Sequence, residues 1–96
     1  MVAGAVNGGT GTIALTTTGA NTDNLTINAK VSTTGTGGVV TLVSAGNVGE
    51  STSTGAVVTQ KLNVTAATGI SLASTLNIIA TIGTKSTQSG TIVIHQ

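Results

Sequence analysis

The sequence predicts an all-β protein, wound as a parallel β-solenoid of about four to five coils. Three observations predict it. Short runs alternate apolar and polar residues with a period of two, which sets one row of side chains inward and the other in solvent. These runs recur as degenerate copies separated by Thr/Ser/Gly stretches, the signature of a repeat architecture. The composition also lacks every other means of stabilising a small domain. The 96 residues are 39% hydrophobic and include 14 Gly, but no Phe, Trp, Tyr, Cys or Pro. A globule of this size hides only roughly 60–70% of its unfolded surface, so small aliphatics must stack in regular layers.

In chain order, residues 1–10 are expected to be an irregular lead-in to a single segment covering 1–96. Gly11-Thr-Ile-Ala-Leu-Thr-Thr-Thr-Gly19 then aligns without gaps on Gly38-Val-Val-Thr-Leu-Val-Ser-Ala-Gly46, and Gly90-Thr-Ile-Val-Ile94 repeats its start. Between these copies lies a second element: Leu25-Thr-Ile-Asn-Ala-Lys-Val31, Leu62-Asn-Val-Thr-Ala66 and Leu76-Asn-Ile78. In the first of these the apolar positions are 25, 27, 29 and 31; Ile70 and Leu72 alternate in the same way. Thr and Val fit a pleated, half-buried surface. Helix is disfavoured, because Gly, Thr, Asn, Ser and Val dominate and no 3.6-residue stripe with caps occurs. A β-sandwich normally fills its core with bulkier, often aromatic residues and joins strands by Asn-Gly or Asp-Gly hairpins. Here the one such dipeptide, Asn7-Gly8, precedes the first clear strand. A solenoid interior, narrow and built from stacked rows, suits Val, Ile, Leu and Ala better.

Charge narrows the function. Only Asp23, Lys30, Glu50, Lys61 and Lys85 are charged, for a net charge of +1. Three lysines without an aromatic supply neither the basic face nor the stacking surface that nucleic acids require. Without cysteine there is no zinc finger and no disulfide scaffold. No apolar run approaches the ~20 residues that span a bilayer. Met1 to Gly11 has no basic start followed by an apolar core, so either this is an excised segment with an added Met1 or the export signal lies upstream.

At these repeats the chain resembles the repeat region of filamentous haemagglutinin-like large exoproteins, secreted by the two-partner and autotransporter routes. The likeness is carried by Gly11-Thr-Ile-Ala-Leu-Thr-Thr-Thr-Gly-Ala20, Leu25-Thr-Ile-Asn-Ala29, Val40-Thr-Leu-Val-Ser-Ala-Gly-Asn-Val48, Ala67-Thr-Gly-Ile-Ser-Leu72 and Ser89-Gly-Thr-Ile-Val-Ile94. The resemblance implies a right-handed parallel β-helix at a bacterial cell surface or outside the cell. It implies no catalytic residue.

Candidate sites are few. A glycosidase needs two carboxyl groups at a defined separation, and Asp23 and Glu50 lie in different turn regions, where they read as solvated turn residues. His95, the one histidine, has no second ligand type clustered near it and reads as an exposed strand residue. Gly8-Gly-Thr-Gly-Thr-Ile13 is like the opening of a calcium-binding nonapeptide but has Ile13 where the carboxylate is needed. Gly9-Thr-Gly11 and Gly35-Thr-Gly37 lack the Lys-Ser/Thr and helix of a phosphate loop and read as corners. Asn24-Leu-Thr26 and Asn63-Val-Thr65 are formal glycosylation sequons at strand starts. No enzyme activity, cofactor or metal site is expected.

The threonines offer one surface-binding pattern. Thr16 and Thr18, Thr34 and Thr36, and Thr52 and Thr54 recur 18 residues apart. Coils of that length would stack them into a flat hydroxyl-and-methyl array able to bind ice or carbohydrate, including host-surface glycans. The competing reading is that Thr is simply the favoured solvent-facing strand residue. At ~4.8 Å per layer, four or five coils make a rod of roughly 20–25 Å. Uncapped solenoid ends present open strand edges, and neither terminus reads as a cap. The expected partners are therefore other copies stacked head to tail, or flanking coils of a longer parent. The expected role is a structural or adhesive rod, with the threonine-row binding module as the alternative.

Overall fold

A computed structural model describes residues 1–87 and 89–96. It is a β-solenoid of about four turns, with no helix among the described residues. Ten strands form: β1 (Val6–Asn7), β2 (Thr12–Thr16), β3 (Leu25–Ile27), β4 (Lys30–Ser32), β5 (Val39–Ser44), β6 (Asn47–Glu50), β7 (Ala56–Ala66), β8 (Gly69–Leu72), β9 (Ile78–Thr87) and β10 (Ile92–Ile94). Every strand pairing is parallel. A short wall stacks β3, β6, β8 and β10. A long wall has two halves. One stacks β1 and β4 on the start of β7 and β9, the other stacks β2 and β5 on their later residues.

The inward columns are those that period-two alternation requires. Ile13, Val40, Leu62 and Ile82 form one column, and Leu25, Val48, Ile70 and Ile92 another. Leu42, Leu62, Leu72, Val31, Val40, Val57 and Val64 are fully buried. Each such side chain contributes about 1.5–3 kcal/mol relative to exposure, and Val40, Leu42 and Leu62 sit between aliphatic residues in the coils above and below, so no aromatic is needed.

The structure differs from the sequence reading in instructive places. Leu25 to Val31 is not one strand. The chain turns at Asn28–Ala29, placing Leu25 and Ile27 on the short wall and Val31 on the long one. Period two survives the corner because the interior lies on the same side of the chain before and after it. Residues 1–10 join the ladder at three positions: Val2 bridges Ile27, and Val6 and Asn7 of β1 pair with β4. Leu76-Asn-Ile78 is out of phase, since Leu76 and Ile78 are exposed and Asn77 between them is buried.

The corners are held by hydroxyls. Thr33 and Thr59, both buried, lie Oγ1 to Oγ1 at 2.7 Å, and Thr59 reaches the carbonyls of Gly38 and Lys61. At the opposite corner the Ser44 hydroxyl donates to the Asn47 carbonyl at 2.6 Å and accepts from the Gly46 N–H. Thr17 there donates to the Asp23 carbonyl and accepts from the Ala45 N–H. Ser and Thr satisfy the backbone groups that a bend takes out of the ladder, so their abundance is partly structural.

Candidate functional site

Most of the expected surface residues are not brought together. Successive coils advance by 20 residues (Val58 to Ile78) to 27 residues (Ile13 to Val40), and no ladder pairing has an 18-residue step. Thr16 therefore stacks on Val43, Thr65 and Ser86. Thr18 lies past the end of β2, Thr34 and Thr36 in the loop between β4 and β5, and Thr52 and Thr54 in the turn between β6 and β7. All six are exposed, but the register scatters them around the coil. The long wall does carry mixed outward rows, Thr12–Val39–Lys61–Thr81 and Thr16–Val43–Thr65–Ser86, in which hydroxyls alternate with valine and lysine.

Asp23 and Glu50 also stand apart. The Gly46 N–H bonds the Asp23 carbonyl, which sets these two residues side by side, and Glu50 lies four residues beyond Gly46 along β6. At 3.3 Å per residue that is about 13 Å along the backbone, and the two carboxylates share no hydrogen-bond partner. Asp23 closes its own loop, accepting the Ala20 N–H at Oδ2 over 2.8 Å. His95 is exposed, and its N–H bonds the Leu72 carbonyl. Among the described residues no group of three His, Cys, Asp or Glu could hold a metal.

The chemically unusual residue is Glu50 itself. The ladder pairs it with Ile27, and the next position after Gly49–Ser71 sets it beside Leu72. A carboxyl thus occupies an inward column of Ile and Leu. Its Oε1 accepts the Ser74 N–H at 3.1 Å and the Asn77 amide at 2.9 Å, while Oε2 is buried without a partner. Burial pushes the Glu50 carboxyl above its ordinary value, against the lowering effect of the Asn77 and Ser74 hydrogen bonds and of His95 nearby. Asn77 also donates to the Leu72 carbonyl and accepts the Val57 N–H at 2.8 Å. Glu50 and Asn77 together staple one coil to the next. Alanine at Gly55 would set its Cβ 2.3 Å from the Ile27 carbonyl oxygen and 2.7 Å from Glu50 Cγ, so only glycine lets the turn close against this pair. A signal for Glu50 was present, because Val48 and Glu50 share a parity. Asn77 had none, because its flanking Leu76 and Ile78 point to the opposite phase.

An open groove of about 600 Å³ runs along the Ser44–Ala45 corner, the Thr65–Ala67 corner and the end of β9 at Ser86 and Thr87. Its lining is small and uncharged, and offers neutral hydrogen bonds only. Comparison with protein-family models, with curated proteins and with solved structures returns no match.

Proposed function

We propose that this chain is a structural, adhesive segment of a bacterial cell-surface or secreted exoprotein, one whose coils stack end to end into longer fibres. The observation that carries the reading is the state of the ladder at its end. β10 leaves Ile92, a member of the inward Leu25–Val48–Ile70 column, 36% exposed. Another layer seated there would cover that column. The dimensions, 34 × 24 × 22 Å, agree. Four layers at ~4.8 Å rise only ~19 Å, less than the width of the coil, so a rod longer than it is wide would need further coils. The sequence resemblance to filamentous haemagglutinin-like repeats supports the surface location. Neutral hydroxyl walls fit an element that displays or spaces rather than one that catalyses.

Native mass measurement combined with negative-stain imaging tests this. The expected result is a concentration-dependent series of oligomers or filaments with a ~4.8 Å axial repeat. A compact monomer at every soluble concentration would overturn the stacking.

A further inference from the structure

The last coil breaks the inward pattern at one place. Leu15, Leu42 and Val64 form an inward column, and the residue that continues it is Lys85. Leu42 and Val64 are fully buried, whereas Lys85 is exposed at the open end. Lys85 reaches this position through a register shift opposite Leu62 and Asn63, where Gly83 is the additional residue. Were the ladder to continue unshifted, Gly83 would pair with Asn63, Val64 with Thr84, and Lys85 would fall beside Thr65 on the solvent side, since a one-residue slip exchanges the faces of a strand. Glycine leaves room there for its neighbours: a Cβ at Gly83 would stand 2.3 Å from Lys61 Cε and 2.4 Å from Asn63 Oδ1, so both side chains would have to move aside. An inward charge and a bulge are two devices by which an edge strand resists pairing with another chain.

We propose that Lys85 is a gate on end-to-end assembly, limiting how tightly a second copy of this chain seats on β9. The inference rests on the stacking reading. A copy continuing the ladder in register sets its Ile13 over Ile82, which is favourable, and its Leu15 over Lys85. The ammonium is then enclosed between Val64 and Leu15. Neither side-chain carboxylate is free to pair with it: Asp23, whose carbonyl accepts from Thr17, uses its carboxylate on the Ala20 N–H of its own loop, and Glu50 lies in a short-wall column. An uncompensated enclosed charge opposes association strongly, so stacking is held weak while Lys85 is charged.

The test compares the assembly threshold of the wild-type chain with Lys85→Val, Lys85→Thr, Lys85→Arg and Lys30→Val, by sedimentation and negative stain. Circular dichroism confirms that each variant keeps its β-structure. Lys30 is an exposed residue of β4, away from the end coil, so its variant controls for net charge. Both neutral variants at 85 should assemble at a concentration lower by about tenfold or more, with Lys85→Arg and Lys30→Val behaving as wild type. Equal thresholds for wild type and the neutral variants would overturn the gate and leave stacking intact. Assembly in no arm would overturn stacking, and the gate with it.

Discussion

Replacing Glu50 by glutamine should stabilise the protein at neutral pH and abolish most of its acid dependence. Glu50 Oε2 is buried with no partner, while Oε1 accepts two hydrogen bonds. An unsatisfied buried polar atom costs about 1–3 kcal/mol, more when charged. Glutamine keeps an acceptor for Ser74 and Asn77 and removes the charge, but weakens those two bonds and leaves an amide where Oε2 lay. Glu50 is half-buried, so solvent screens part of that cost, and the net gain at pH 7 should be at most about 1 kcal/mol, or at most about 4–8 °C in melting temperature for a domain of this size. The sign with pH is set by burial, which raises the folded-state value above 4.5. Between the raised value and 4.5 the folded chain holds a proton that the unfolded chain does not. The wild type should therefore gain stability from Glu50 as pH falls through that window, and lose it as pH rises. Thermal melts of wild type and Glu50→Gln, followed by circular dichroism from pH 4 to 8, isolate this contribution, because Asp23 and His95 are present in both. A variant with the wild-type pH slope, or a wild type that gains nothing relative to the variant on acidification, would refute the assignment.

Asn77→Ala should cost about 1–3 kcal/mol, because the Val57 N–H and one Glu50 bond lose their partner; urea unfolding reads it directly. Leu42→Ala, in the middle of a fully buried column, should cost about 2–5 kcal/mol. Leu76→Ala, at a residue that is 50% exposed, should stay within about 0.5 kcal/mol in the same assay. That pair of values would fail if the 76–78 segment were inward at Leu76, as alternation alone suggests. Gly55→Ala should destabilise by about 1–3 kcal/mol, because the Ile27 carbonyl it meets belongs to a ladder that cannot move aside.

The solenoid was legible because its two determinants are local: alternation selects strands, and glycine-bearing corners repeat. Alternation reports only which side faces inward, so it ran through the Asn28–Ala29 corner and joined two strands of different walls. The 18-residue threonine interval failed for a related reason. Coil length is set by corners of unequal size, and the loop from Thr33 to Gly38 is replaced one coil later by the continuous strand β7. Identical motifs therefore fall on different faces. Lys85 was illegible because its place depends on the shift at Gly83, and a bulge leaves no mark in residue periodicity.

Two charged residues break the inward columns, and the fold answers them differently. Glu50 lies within the stack, with Ile27 on one side and Leu72 on the other, so it is held by the backbone N–H of Ser74 and the amide of Asn77 from the following coil. Lys85 lies at the end of the stack and keeps its solvent. In a solenoid each layer is stabilised chiefly by its neighbours, so a charge is tolerated where the neighbour supplies hydrogen bonds or where it keeps its solvent. It is costly only when a new apolar layer arrives. The position of a charge along the stack, rather than its presence in the composition, then decides whether the next coil holds it by hydrogen bonds, as at Glu50, or solvent does, as at Lys85.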